Sequence, residues 1–578
     1  MSYATSSGLA SVLALGFAVA CTGSITDGSS GPQGSGDASG STNGGAQSNG
    51  GASGSGNATS ASGNTSAGNA SAGSVGTAQP SLLAARLRRL TRAEYDTSVA
   101  ALLKTSQQLG KKFVADVRQG GYTMNADQRV GSDLAPQLQT AAETLAAEAV
   151  TNNLTTLAPC ASGSDETTCA KTFISSFVTL AFRRPLTDVE QTGLLAVYSG
   201  ARDGGAYKDG IQAVIGAVLQ SPSFLYITEL GDAASATTTL GQYEIAASLS
   251  YLVTGAPPDA TLRKAAVDGK LTDTATRLSE AKRLLASDGA KAQLRRFVSE
   301  WLGVDVLSST GKQETVYPNY VALLPSMQAE VDQFATQVTS SETDTLKSLL
   351  TADYSMAPSD LAQFYGISGS KRSAGGFMLS GTERAGILTT AAFMAVNGAQ
   401  DSSHPVKRGA NIRRRLFCQD IPRPSADVQQ MIVFPAPSAT LTTRQRYEAH
   451  LKNSVCAGCH TAMDPVGFAF EQFDGIGGFR TQENSVMVDP SGDLKGTDVD
   501  GHFDDAQGLI QKMASSSMVR DCYVRQVARF STAETDDGVE ASVRKVWDGL
   551  PDAQRLRLTD FMAAFVSDEF FVKRGVVK

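Results

Sequence analysis

The sequence predicts a mainly α protein: a multi-helical body in several packed subdomains, preceded by a disordered N-terminal linker. Three observations predict it. Residues 22–80 are almost wholly Gly, Ser, Ala, Asn and Thr, with Asp27 and Asp37 the only charges and no aromatic residue. From residue 82 onward apolar residues recur at helical spacing. Alternating strand-type patterns are scarce throughout that second part.

The elements follow in chain order. The apolar run Leu9 to Ala20 is too short to span a bilayer as a stable helix. Its length and its small-residue exit suit the apolar region of a secretory signal. Ala18, Val19 and Ala20 stand directly before Cys21, an arrangement that resembles a bacterial lipoprotein cleavage site at which that cysteine is lipidated. The plainer alternative is an ordinary signal peptide containing a cysteine, and the lack of Lys or Arg in MSYATSSG counts against both. The expected division is a lipoprotein-like signal over residues 1–21 and a linker over 22–80. The linker has almost nothing to bury, so it cannot offset the entropy of ordering. As a flexible coil it has a root-mean-square reach of about 40 Å.

In RLRRLTRAEYDTSVAALL, Leu87, Leu90, Tyr95, Val99 and Leu102 share a helix face, and Thr91 with Glu94 forms a capping-box signal. Thr187 with Glu190 forms a second one. Amphipathic stretches continue over 172–182, 208–219, 243–252, 272–285, 290–302, 326–350, 519–530 and 558–566. The Gly- and Pro-rich stretches 231–239, 368–376 and 423–440 are the expected sub-boundaries, and the body is expected to hold five helical units: 81–158, 159–230, 231–375, 376–484, which contains a CxxCH run, and 485–578. Arg86, Arg88, Arg89 and Arg92, like Arg413, Arg414 and Arg415, read first as solvated helix faces, with haem propionates or a partner as the alternative.

With 50 Lys+Arg against 57 Asp+Glu the net charge is −7, which argues against nucleic acid as a partner and against membrane binding by bulk charge. Any membrane attachment is expected through the N-terminal lipid alone. There is no Walker loop, GxSxG elbow or HExxH run, and four histidines leave little material for Ser–His catalysis. The chemistry lies with the cysteines. Cys160 and Cys169 bracket a short polar loop and read as a disulfide in an exported chain. Cys418 and Cys522 are the pair that arithmetic leaves.

Cys456 and Cys459 stand in Cys456-Ala457-Gly458-Cys459-His460, the attachment pattern for haem c. Two thiols three residues apart can each add to a haem vinyl group, and the adjacent imidazole then serves as proximal iron ligand. From 7 Cys and 4 His in 578 positions, chance supplies about 0.0006 such runs. Two rivals share these residues. One is a local dithiol redox pair; the other is zinc held by His450, Cys456, Cys459 and His460, which requires neighbouring residues to face one ion. For the sixth iron ligand, His450, His502, Met487, Met513 and Met518 are the candidates, since Met463 is on the same local segment as His460. Asp464 and Pro465 read as a turn leading into Phe468, Phe470 and Phe473, which form either a dry haem wall or plain core.

Long motifs then carry a family resemblance: FRRPLTDVEQTGLLAVY, YEIAASLSYLVTGAPPDATL, HPVKRGANIRRRLFCQDIP, CAGCHTAMDPVGFAFEQFDGIGGFR and the closing FVSDEFF. Together with RLRRLTRAEYDTSVAALL they resemble exported bacterial proteins built from domains of unknown function 1587, 1595, 1592, 1588 and 1585 in that order. The resemblance implies export, a helical architecture and a CxxCH whose cofactor is inferred as haem c, with no assigned reaction. It carries over onto Cys456, Cys459, His460, Asp464, Pro465, Gly467 and Arg480. His450 also occupies a matching position, which ranks it above the other sixth-ligand candidates. The chain departs from the pattern at ARFSTAE after Cys522 and at YLVTG in the third unit.

The expected function is therefore that of an exported, membrane-tethered monohaem c-type cytochrome-like protein in electron transfer or haem redox chemistry, with a redox partner that the sequence does not identify. The alternative is a non-catalytic surface lipoprotein that binds an extracellular polymer such as polysaccharide, with CAGCH as a structural or dithiol element. The long polar linker motivates it; only 2 Trp and 14 Tyr count against it.

Overall fold

The computed structural model describes residues 78–161, 163–232, 236–367, 371–421, 438–448 and 454–575. Helices dominate them, and the few strands form two-stranded antiparallel pairs. Among the described residues no helix is long and apolar enough to cross a membrane.

The first capping box forms as its spacing requires. Thr91 caps the helix Arg92–Leu103 and Glu94 reaches back to the Thr91 backbone amide at 2.8 Å. Thr187 and Glu190 do the same for the helix Asp188–Arg202. The arginines before the first helix correct the expectation of a solvated face. Residues Arg86–Arg89 are a strand paired antiparallel with Tyr226–Glu229, and Arg88 and Arg89 are buried. Carboxylates explain how: Arg88 forks onto Glu94 at 2.8 and 3.0 Å, Arg89 meets Asp116 at 2.9 Å and Arg86 meets Glu229 at 2.8 Å. A guanidinium so paired keeps its hydrogen bonds when water is removed.

Helix Arg92–Leu103 packs with Leu134–Asn152, Glu166–Phe182, Asp188–Arg202 and Tyr207–Gln220 around one core that includes Tyr95, Leu145, Ile174 and Val214. The second of these, Leu134–Asn152, is absent from the predicted set; alanine supplies half of its buried face. Cys160 and Cys169 are disulfide-bonded beside the Asp165 cap of Glu166–Phe182.

A second, larger core gathers most of the remaining helices. Helices Gln242–Thr254, Asp288–Leu302 and Tyr320–Thr339 contribute to it, as do Ser517–Thr532 and Leu558–Ser567 near the end of the chain. The amphipathic stretch 326–350 divides into Tyr320–Thr339 and Thr345–Thr351, the latter capped by Asp344. Phe470 and Phe473 belong to this core, so they are packing residues of the fold. Cys418 is disulfide-bonded to Cys522, tying the end of the helix Pro405–Leu416 to Ser517–Thr532. The second arginine cluster also corrects its expectation. Arg413 is buried, and Arg415 donates to the Glu300 carbonyl at 2.9 Å while its own carbonyl accepts from the Trp301 indole at 2.7 Å.

Candidate functional site

The CxxCH run lies in the helix Ser454–Phe468, which packs on Pro405–Leu416. The sequence HPVKRG starts the second helix: His404 caps it, with Nδ1 accepting from the Lys407 amide at 3.3 Å, and Pro405 stands in the first turn where no amide is needed. Two glycines then set the approach. A Cβ on Gly409 would strike the Met463 carbonyl, and a Cβ on Gly467 would strike the Pro405 carbonyl. The helices therefore touch backbone to backbone at both points. Arg413 adds a bond from its Nε to the Ala462 carbonyl at 3.0 Å. Burial lowers the Arg413 guanidinium to about 10.

Below this crossing a buried polar network holds the chain as it leaves the site. Glu471 accepts from Ser403 at 2.6 Å and from Arg480 at 3.1 Å, and Arg408 donates to the Phe470 carbonyl at 2.8 Å. Burial pushes the Glu471 carboxyl up, and Arg408 and Arg480 pull it back.

The expected turn at Asp464 and Pro465 is instead helix, which continues to Phe468. That continuation brings a new residue into the site. Asp464, one helical turn after His460, is fully buried, and both of its oxygens lie 3.0 Å from His460 Nδ1. An ionised carboxylate only accepts, so the hydrogen bond of an ionised Asp464 places a proton on Nδ1. His460 itself is 20% exposed, on the partly buried side of the helix. Cys456 and Cys459 carry free, partly buried thiols. Residues i, i+3 and i+4 share a helix face, so Cys456 stands one turn from both Cys459 and His460. This donor set fits haem c: two free thiols at attachment spacing and an adjacent imidazole whose Nδ1 lies against a buried carboxylate. Among the described residues no group of three or more His, Cys, Asp and Glu gathers as a metal site.

The other sequence candidates fall elsewhere. His450 and Cys21 lie outside the described residues. His502 is 60% exposed, 3.2 Å from Asp493 and 3.5 Å from Asp504. Met487 is exposed, Met513 is buried in the large core and Met518 packs against that core. Asp464, which the family motif included but the spacing argument placed in a turn, is the residue the structure sets against His460. The signal was present as a four-residue spacing from His460, and Pro465 disguised it as a turn.

Four family models match the chain, in order. They are PSD3, protein of unknown function (DUF1587), over residues 88–151; PSD5, protein of unknown function (DUF1595), over 169–229; PSD4, protein of unknown function (DUF1592), over 240–367; and PSCyt3, protein of unknown function (DUF1588), over 384–483. The chain thus carries four domains of unknown function in series, in the order that the resemblance implied. The PSCyt3 match contains the CxxCH run and both helices of the crossing, while residues 485–578 lie outside these matches. No curated protein and no solved structure matches the chain.

Proposed function

We propose that the protein is an exported, lipid-tethered carrier of a single haem c that takes part in one-electron transfer. The observation that carries the reading is the pairing of free Cys456 and Cys459 thiols with a His460 imidazole whose Nδ1 is committed to Asp464. Cys456 and Cys459 would bind the group covalently and His460 Nε2 would ligate its iron. The haem supplies one-electron redox chemistry when bound. The chain's own contribution is to hold those three side chains on a helix that the Gly409 and Gly467 contacts keep from shifting. The PSCyt3 name of the model over 384–483, read as a cytochrome abbreviation, also supports it. Cys21 supplies the tether in this proposal and His450 the sixth ligand.

The test is expression with an active cytochrome c maturation system, followed by a pyridine haemochrome spectrum and the mass of the purified chain. The expected result is one covalent haem per chain in the wild type and none in the Cys456→Ser/Cys459→Ser double variant. A mature wild-type chain of unmodified mass overturns the reading.

A further inference from the structure

Asp464 is costly where it stands. Aspartate is a poor helix former, this one lies in a helix interior, and its side chain is fully buried. It caps no terminus, so helix formation does not account for it. Both of its oxygens lie 3.0 Å from one imidazole nitrogen. The contact is also built to stay. Asp464 lies between Met463, whose carbonyl faces Gly409, and Gly467, which faces the Pro405 carbonyl. A rotation of this helix that withdrew the carboxylate would drive backbone into backbone.

We propose that Asp464 is a positioning residue acting through His460: it fixes the tautomer whose Nε2 binds iron and favours the oxidised over the reduced metal, making the site a one-electron donor to acceptors of higher potential. The inference rests on the haem reading above. Its chemistry is direct. A buried anion on Nδ1–H draws that proton toward itself and leaves more electron density at Nε2. With little water to screen it, the same negative charge stabilises the higher positive charge on the metal. Both effects act in one direction.

The experiment compares haem-loaded wild type with Asp464→Asn, whose amide keeps an acceptor oxygen and loses the charge. Haem content and unfolding midpoint are measured alongside the reduction potential. The expected result is retained haem and a ferrous-to-ferric ratio raised about tenfold at fixed ambient potential, which is about 59 mV for a one-electron couple. An unchanged potential in a loaded Asp464→Asn variant overturns this inference and leaves the haem reading standing. A wild type without covalent haem overturns both. Where the variant does not fold, the wild type decides: its reduced form, labelled with nitrogen-15 histidine, is expected to show a downfield, slowly exchanging His460 Nδ1 proton. A rapidly exchanging proton there overturns the inference.

Discussion

At the scale of single residues, environment turns ordinary side chains into specific ones. His404 is pulled down to about 4 from 6.5, first by burial and then by the nearby Lys407, Arg408 and Lys312 charges. Its folded value lies below its unfolded value, so between pH 6.5 and about 4 the unfolded chain takes up a proton that the folded chain refuses. The contribution is full above pH 6.5 and is lost as the pH falls toward 4, by no more than roughly 3 kcal/mol. His404→Asn keeps a capping oxygen for the Lys407 amide and removes the titration. Urea unfolding at pH 7, 5.5 and 4.5 should show a flatter acid decline in the variant than in the wild type; parallel declines would refute the assignment. The same scale shows what one-dimensional reading misses. Cys456, Cys459 and His460 stand out as a motif because they are written in adjacent letters. The contact of Asp464 with His460 does not, since the two are a turn apart and a proline follows Asp464. Arg88 and Arg89 read as solvated because the carboxylates that let them be buried, Glu94 and Asp116, are recognisable only once the chain is folded.

Among elements, the decisive contact is the crossing of Pro405–Leu416 with Ser454–Phe468. Gly467→Ala and Gly409→Ala each place a methyl group on a carbonyl of the opposite helix. Each is expected to cost about 1–3 kcal/mol in unfolding free energy, the range for forcing extra volume into a packed contact. Gly458, in the same helix, is exposed and has nothing within 4 Å of an added Cβ. Gly458→Ala should therefore stabilise the haem-free chain by about 0.4–1 kcal/mol. Denaturant midpoints of the three variants check the contrast, and equal effects at all three glycines would contradict it. The disulfides make a second contrast. Cys418 and Cys522 are 104 residues apart and Cys160 and Cys169 only 9. By loop-closure entropy, replacing the first pair with alanine costs about 4–5 kcal/mol and the second about 2–3 kcal/mol. Thermal unfolding of the two double variants ranks them, and the reverse ranking would rule out loop length as the cause. Most helices were legible, because capping boxes and apolar stripes are local signals. Leu134–Asn152, Pro405–Leu416, Ala506–Ser515 and Asp537–Asp548 were not: alanine supplies half of the first one's buried face, and the second buries Arg413, which reads as solvated.

For the whole molecule, one carboxylate fastens three distant parts of the chain. Glu229 ends the strand that pairs with Arg86–Arg89, and it accepts from Arg86 at 2.8 Å, from Ser248 at 2.7 Å and from Arg574 at 3.0 Å. Arg574 lies in the strand Lys573–Gly575, which pairs with Thr237–Thr239, while Gly575 exchanges backbone bonds with Leu83 and Ala85 at 2.7 and 2.9 Å. The two ends of the described body thus close on one buried ion cluster. No local pattern announces it, because its members are 143 and 345 residues apart. Burial alone would raise the Glu229 carboxyl, but Arg574 and Arg86 outweigh it and hold the group well below the usual carboxylate range. Glu229→Gln leaves buried Arg574 without its counter-charge and Arg86 with Glu534 alone, at an expected cost of about 3–5 kcal/mol at neutral pH. Because the folded value is the lower one, this contribution is complete above the unfolded carboxyl value near 4.5 and drains away as the pH falls below it. The stability gap between wild type and Glu229→Gln should therefore be constant from pH 7 to 5 and narrow steadily on further acidification. A gap that stays fixed down to pH 3 would show that the side chain's shape, and not its charge, closes the molecule.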